Sequence, residues 1–435
     1  MDWLVTLLIF FGALIGLMAT GINVFIAFLV VNLSATMVMM GPRGYGMFVN
    51  SVGDSMTTMG FVTIPLFILM GEILFRSGSV DVLFNSVNRL VGKIKGRLYV
   101  VVLLLATIFG ALSGAAVAVS AMLGRSVLPN MESRGYSPKM SASVILAGAS
   151  LAPIIPPSLL AIIIGSLANV SIAGLLIAGI VPGIIISCLT GAYIFLSIKR
   201  NASIAPSDEQ DEEDKEGGTT AGALLKMIPF MFVVFMVMGM IMLGIATPTE
   251  SAATGVLGAI LVAIFYNRAS VEMFSQSLTS SVKLSAMIMI IIASSSLFSQ
   301  LVSFTGASQG LVNWATGLGL DPIVMFIIMM IIPVILCMFI DQIAFILMAV
   351  PLYQPLVAAQ GFDPIWFWTI LLINLTVGGI TPPFGYTLFA LSAAAPGLTV
   401  SQVFRASFPV LLIFLLSVVL MTAFPNVVTW LPGIM

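Results

Sequence analysis

Two stretches constrain this chain more than any other feature: Gly148-Ala-Ser-Leu-Ala-Pro-Ile-Ile-Pro-Pro157 and Asn374-Leu-Thr-Val-Gly-Gly-Ile-Thr-Pro-Pro383. Each puts adjacent prolines in the middle of a long apolar segment. A proline pair removes two amide donors and clashes with the preceding turn, so no continuous helix passes through either stretch. Unpaired backbone in hydrocarbon costs several kcal/mol per group, and such breaks persist only under protein cover or beside a wet cavity.

The hydrocarbon setting follows from composition. The chain has 435 residues, 60% hydrophobic and 8% charged, with a mean hydropathy of +1.18. Soluble domains carry roughly 25% charged residues. Apolar runs able to cross a bilayer recur from Trp3 to Trp430, which predicts a polytopic membrane protein with no room for a soluble domain. The opening Met1-Asp2-Trp3 lacks a basic n-region and a small-residue cleavage site, so the first segment reads as a retained span. Cys188 and Cys337 are isolated in apolar runs and read as core filler. There is no histidine, so the usual general base, metal ligand and proton relay are missing.

A net charge of -1 hides an uneven distribution: seven of the 17 acidic residues lie between Asp208 and Glu216. This polar stretch reads as a solvated, self-repelling linker. The halves on either side repeat. A shift of 226 aligns Pro129/Pro355, Gly135/Gly361, Pro138/Pro364, Pro156/Pro382 and Pro157/Pro383 without a gap. About 0.1 proline matches are expected by chance over that window, and the alignment contains four. A shift of 228 extends the match through Gly16/Gly244, Gly78/Gly306 and Asn85/Asn313. The expected organisation is a first repeat over 1–200, an acidic linker over 201–222 and a second repeat over 223–435.

Basic residues set the orientation. Arg76, Arg89, Lys93, Lys95 and Arg97 precede the segment 98–130, while Arg125, Arg134 and Lys139 lie at or beyond its end. One crossing would divide them between two sides. Because Lys and Arg stay cytoplasmic, the segment reads as a re-entrant hairpin with its tip near Ser113-Gly114. Its counterpart, 322–358, is flanked by Asp321 and Asp363 and is expected to enter from the opposite face. Broken helices are expected over 139–169 and 364–395. Spans are expected near 3–18, 21–40, 50–75, 173–198, 227–245, 250–266, 276–304 and 403–431, with arms at 77–96 and 307–320. This threading leaves 15 of the 16 basic residues cytoplasmic, Arg43 being the exception, and puts both termini outside, in the periplasm.

The odd number of crossings between equivalent points makes the repeats inverted, so hairpins and broken helices converge near the midplane, where secondary transporters hold their cargo. Here the chain resembles the large membrane subunit of TRAP transporters (tripartite ATP-independent periplasmic, DctM-type), within the wider ion-transporter superfamily. The resemblance spans essentially the whole chain. It is carried by Gly110-Ala-Leu-Ser-Gly-Ala-Ala116, Ile155-Pro-Pro-Ser158 with Pro182-Gly183, Gly244-Ile-Ala-Thr-Pro-Thr-Glu250, Phe339-Ile-Asp341 and Thr381-Pro-Pro-Phe-Gly385. It implies an all-α elevator-type importer of organic acids with sodium as coupling ion and no other cofactor. It also implies a bacterial inner-membrane setting and two partners, a small four-helix DctQ-type membrane subunit and a periplasmic DctP-type substrate-binding protein. No nucleic-acid partner is implied. One departure stands out: the family's first tip often reads Ser-Gly-Ser-Ser, and here Ala115 and Ala116 follow Ser113-Gly114.

The candidate sodium site comprises Ser113, Gly114, Gly148, Ser150, Pro153, Asp341, Asn374, Thr376, Gly378 and Thr381, offering hydroxyl, carbonyl and carboxylate oxygens. The candidate substrate contacts are Ala115, Pro156, Pro157, Gln342, Pro382 and Pro383. Asp341 is a functional candidate because an intramembrane carboxylate costs at least about 2.5 kcal/mol unless compensated. By contrast, Thr247-Pro-Thr-Glu250 has the form of a helix start, with an N-cap threonine, a first-turn proline and a capping-box glutamate. Glu72 and Arg76 have the i,i+4 spacing of an ion pair, with a proton path as the alternative for Glu72. A coupled secondary transporter is the leading class. The other transport readings are a stand-alone dicarboxylate symporter of the same superfamily and an uncoupled channel. An intramembrane enzyme lacks both a Ser/His pair and paired aspartates.

Overall fold

The computed structural model describes residues 2–77, 79–92, 94–206, 220–395 and 397–435. The acidic run 208–216 therefore lies outside the described residues. Those described are helical throughout, with no strand among them. Six helices are long and apolar enough to cross a membrane, or up to seven when the bent pair at residues 45–76 counts as one.

The chain opens with α1 (Trp3–Ala19), α2 (Val24–Met40), α3 (Tyr45–Thr57) and α4 (Met59–Arg76). The expected single span over 50–75 is broken at Thr58, where extended backbone bends the axis by 56°. The amphipathic arm α5 (Ser79–Val91) leads to α6 (Arg97–Ser113), α7 (Ala116–Ser126) and α8 (Leu128–Ser133). Next come α9 (Pro138–Ala149), α10 (Leu159–Leu167), α11 (Ile172–Ala178) and α12 (Ile180–Arg200).

Beyond the linker, α13 (Thr220–Val234) runs through a π-turn at Phe235–Gly239 into α14 (Met240–Met242), and α15 (Pro248–Phe265) and α16 (Val271–Phe304) follow. At 34 residues, α16 is about 51 Å long, well beyond a bilayer's hydrocarbon thickness. The second arm is α17 (Ala307–Gly317). It leads to α18 (Pro322–Leu336), α19 (Gln342–Ala359), α20 (Pro364–Gly379), α21 (Tyr386–Ala394), α22 (Val400–Ala423) and α23 (Asn426–Gly433). The last span ends at Ala423, because Phe424 precedes Pro425 and leaves helical backbone.

Two packing groups emerge. In one, α4 lies along α15 and α16, while α16 also covers α2 and α3. Phe298 of α16 sits edge-on to Phe10, Phe11 and Phe28 at 5.3–5.8 Å. The Arg76 guanidinium pairs with Glu72 at 2.9 Å and donates to Gln276 and Ser280, tying α4 to α16 as the i,i+4 spacing indicated. Thr247 and Glu250 form the capping box read from their order in the chain. In the other group, α9 and α20 form the interior: every α9 residue from Met140 to Ala149 and every α20 residue from Trp366 to Gly379 is buried. Such helices, apolar on all faces, belong at the centre of a bundle. Around them lie α6, α18 and α22.

Columns matched in the sequence occupy matching backbone positions. After α8, Gly135 and Tyr136 donate to Glu132 and Met131, and after α19, Gly361 and Phe362 donate to Ala358 and Val357. Both are the Schellman closure, with left-handed glycine at φ 82° and 68°. Pro138 and Pro364 each follow the cap of their helix, and the two hairpin bases carry edge-on ring pairs, Tyr99 with Tyr136 and Phe326 with Phe362. Cys337 is buried, as core filler should be. Cys188 is not: it faces outward from α12.

Candidate ion and substrate site

Each proline pair opens a helix as its chemistry requires. Pro156 precedes another proline and is pushed out of helical backbone, so α9 stops at Ala149 and α10 resumes at Leu159; α20 likewise stops at Gly379 and α21 resumes at Tyr386. Both Pro-Pro bonds, 156–157 and 382–383, are cis.

A hairpin tip lies over each break. The first turns at Gly114, whose φ of 63° suits glycine and whose missing side chain leaves room for Leu159: a Cβ there would stand 3.1 Å from the Leu159 nitrogen. Gly110 on the same hairpin is as close to the break, its Cβ position 2.9 Å from the Ala152 Cα. In the second hairpin the small residue is on the other partner, with the Gly378 Cβ position 2.6 Å from the Cys337 Cβ.

The two tip-and-break units interlock. The return arm α7 packs along α21, with Ser120 donating to the Thr387 carbonyl at 3.5 Å. The return arm α19 packs on α10, with Gln354 donating to the Ala168 carbonyl at 3.0 Å.

At the first break, Gly148, Ser150 and Pro153 are buried. The Ser150 hydroxyl has no exposed surface and no hydrogen-bond partner among the described residues. The Pro153 carbonyl accepts from Ser158, whose hydroxyl also caps α10 at Ala161. Pro156 and Pro157 are buried and Ala115 starts the return arm; the Ser113 side chain lies outside the described residues.

At the second break, Thr381 donates to the Val377 carbonyl at 2.6 Å, and Pro383 is exposed while Pro382 is partly so. Deeper in α20, Asn374 donates to the Met330 carbonyl and Thr376 to that of Leu372. These bonds use the donors and leave oxygen lone pairs for a cation.

Asp341 is the N-cap of α19, its carboxylate accepting from the Ile343 amide at 2.9 Å, while the neighbouring Gln342 is buried. The Asp341 side chain is exposed, and it is the only formal charge between Pro322 and Ala358. Two residues of this region were not read as site residues in the sequence, Cys337, taken there as core filler, and Tyr386, which interacts electrostatically with Asp341 and Cys337 and whose ring packs on Gly379. Cys337 is four residues before Asp341 on the same tip, whereas Tyr386 lies on a different segment, so only the three-dimensional arrangement reveals Tyr386. Above them, Phe339 of the tip and Phe384 of the break meet at 4.9 Å.

No group of three or more Cys, Asp or Glu suited to a transition metal occurs among the described residues. The two breaks and tips carry hydroxyl and carbonyl oxygens, and the second tip carries one carboxylate, Asp341.

Among known proteins, the C4-dicarboxylate TRAP transporter large permease protein DctM of Pseudomonas aeruginosa is 28% identical over 86% of each chain. The ectoine/5-hydroxyectoine TRAP transporter large permease protein UehC of Ruegeria pomeroyi is 30% identical over 85% of each. The sialic acid TRAP transporter large permease protein SiaM of Vibrio cholerae is 26% identical over 96% of each. In fold, the chain is similar to the Alcanivorax borkumensis YdaH transporter, with a TM-score of 0.68 at 13% identity, covering 93% of this chain and 98% of that one. The family described as tripartite ATP-independent periplasmic transporter, DctM component, matches residues 11–427. This chain therefore belongs to the DctM-component family of tripartite ATP-independent periplasmic transporters.

Proposed function

We propose that this chain is the permease subunit of an inner-membrane importer that couples sodium entry to uptake of an organic acid, the acid being delivered by a periplasmic binding protein. The reading rests on one observation above others: two helix breaks, each under a hairpin tip, interlock through the pairs α7–α21 and α10–α19. The column-matched Schellman turns, with a ring pair at the base of each hairpin, support a repeat, which we read as inverted, with domains 1–200 and 223–435. The ten candidate oxygen-bearing positions from Ser113 to Thr381 would hold sodium, and the six flanking positions from Ala115 to Pro383 would meet the acid.

An elevator motion fits the packing. The group α6–α12 with α18–α22 would slide past α1–α4 and α13–α16, with α5 and α17 as connecting arms. Part of its boundary with the second group is apolar, lined by Leu74, Phe109, Val119 and Phe230, while a hydrogen bond from the Ser295 hydroxyl to the Leu347 carbonyl also crosses it. Apolar contacts hold no fixed register, which eases sliding. At one end the boundary widens into a cleft of about 450 Å³ between Thr58, Pro248 and the turn from Gly165 to Ala173. The small membrane subunit would brace the static group, and the binding protein would dock over the periplasmic side. Relatives named for C4-dicarboxylate, ectoine and sialic acid support an acid or zwitterion as cargo.

Reconstitution in liposomes with the small subunit and binding protein tests this. Uptake is expected under an inward sodium gradient and only with the binding protein present. Uptake driven equally by protons without sodium would overturn the coupling, and uptake without the binding protein would overturn the delivery.

A further inference from the structure

A proline in or just after a helix leaves the carbonyl four residues earlier without its amide partner, and in hydrocarbon that carbonyl needs another donor. Three such carbonyls are met by a side chain from a different helix. Pro333 frees Met329, which accepts from the Tyr353 hydroxyl at 2.9 Å, and Pro425 frees Met421, which accepts from the Trp366 indole at 3.1 Å. Pro351 frees Leu347, which accepts from the Ser295 hydroxyl. The first two bonds lie within the group α6–α12 with α18–α22. The third does not, since Ser295 belongs to α16 of the static group and Leu347 to α19 of the moving one. Ser295 is 2% exposed and Leu347 0%, so water is no substitute for either partner. The donor is firmly placed: Asn32 of α2 donates to the neighbouring Ser294 carbonyl at 2.6 Å, and Phe298, almost one turn on, stands edge-on to Phe10 and Phe28.

We propose that the Ser295–Leu347 bond is a latch that holds the moving group in the position of this structure, and that Pro351 creates it by withholding an amide from Leu347. The proposal rests on the elevator reading above. A side-chain hydrogen bond is lost beyond about 3.5 Å, so a slide of a few ångströms parts the hydroxyl from the carbonyl. In the present position the Leu347 carbonyl is satisfied; in a displaced one it loses Ser295, and an unsatisfied buried acceptor is costly. That difference favours the position seen. An amide at residue 351 would satisfy Leu347 in every position and abolish the preference. Ser295 and Pro351 are thus positioning residues that set the balance between conformations, and both lie outside the candidate ion and cargo contacts.

The experiment measures that balance in the complete membrane complex in lipid nanodiscs. Spin labels are placed on the outward-facing Cys188 of α12 and on Val271→Cys at the exposed start of α16, while the buried Cys337 stays unlabelled, and double electron–electron resonance reads the distance between them. Four forms are compared in sodium and in choline buffer: the otherwise wild-type chain, Ser295→Ala, Pro351→Ala and the double variant. The ratio of the distance in this structure to the displaced one should fall about threefold or more in Ser295→Ala. Pro351→Ala should lower it by a similar factor, and the double variant no further, because either change alone removes the preference. The latch is overturned if Ser295→Ala leaves the ratio within twofold of wild type, or if the double variant falls by the product of the two single factors. Should Pro351→Ala fail to assemble, Ser295→Ala, which removes one oxygen, decides alone. If all the forms keep a single distance in both buffers, the elevator reading itself falls, and the latch with it.

Discussion

Replacing Asp341 separates its two roles. As the N-cap of α19 it accepts the Ile343 amide at 2.9 Å, and as the only formal charge between Pro322 and Ala358 it is the proposed counter-charge for a cation. Asparagine caps as well as aspartate, so Asp341→Asn keeps the cap and removes only the charge. Alanine removes both, and losing a cap costs about 1 kcal/mol. A ligand that binds only the folded state stabilises it by about 2.7 kcal/mol at a hundredfold excess over Kd. The assay is thermal unfolding of the purified protein in choline buffer and then in saturating sodium. In choline, the asparagine variant should match wild type and the alanine variant should fall below both by about the cap term. In sodium, wild type should gain the full ligand term and neither variant should gain it. A sodium-induced shift in Asp341→Asn equal to that of wild type would refute the ion role. Equal losses for Asn and Ala in choline would refute the cap.

Arg76→Ala should destabilise the protein by about 1–2 kcal/mol through loss of the Glu72, Gln276 and Ser280 bonds, leaving the sodium shift intact. A lost sodium shift would instead tie Glu72 and Arg76 to the ion path. Gly110→Ala should cost about 1–3 kcal/mol, because its Cβ would stand 2.9 Å from Ala152 and lift the first tip off its break; a melting temperature unchanged from wild type would contradict that contact. In a background freed of Cys188 and Cys337, single cysteines at the exposed, column-matched Ser133 and Ala359 should react with impermeant thiol reagents from opposite sides of the membrane. Labelling of both from one side would contradict the opposed hairpins.

How far such features can be read from a sequence depends on how local their causes are. Both breaks were legible because a proline pair acts on its own neighbours. Isolated prolines mislead: Pro65, Pro229, Pro333, Pro351, Pro355 and Pro409 all lie inside helices, since one missing donor is tolerated where two adjacent ones are not. The capping box at Thr247 and the Glu72–Arg76 pair were legible for the same local reason. The bend at Thr58 and the π-turn at Phe235 carry no proline signal, and the end of α22 at Pro425 was hidden by the apolar run through it. At the site, Asp341 drew notice as a charge in an apolar segment. Tyr386 looks like an ordinary apolar-segment residue until the second break folds against the tip, where it interacts electrostatically with that carboxylate.

The most direct measurement follows radioactive sodium and the cargo acid together into liposomes containing the complete complex and its binding protein. Coupled import requires sodium entry to rise in step with acid uptake, and outward sodium gradients to stop both. Acid uptake that proceeds at full rate with no accompanying sodium movement would contradict the central claim.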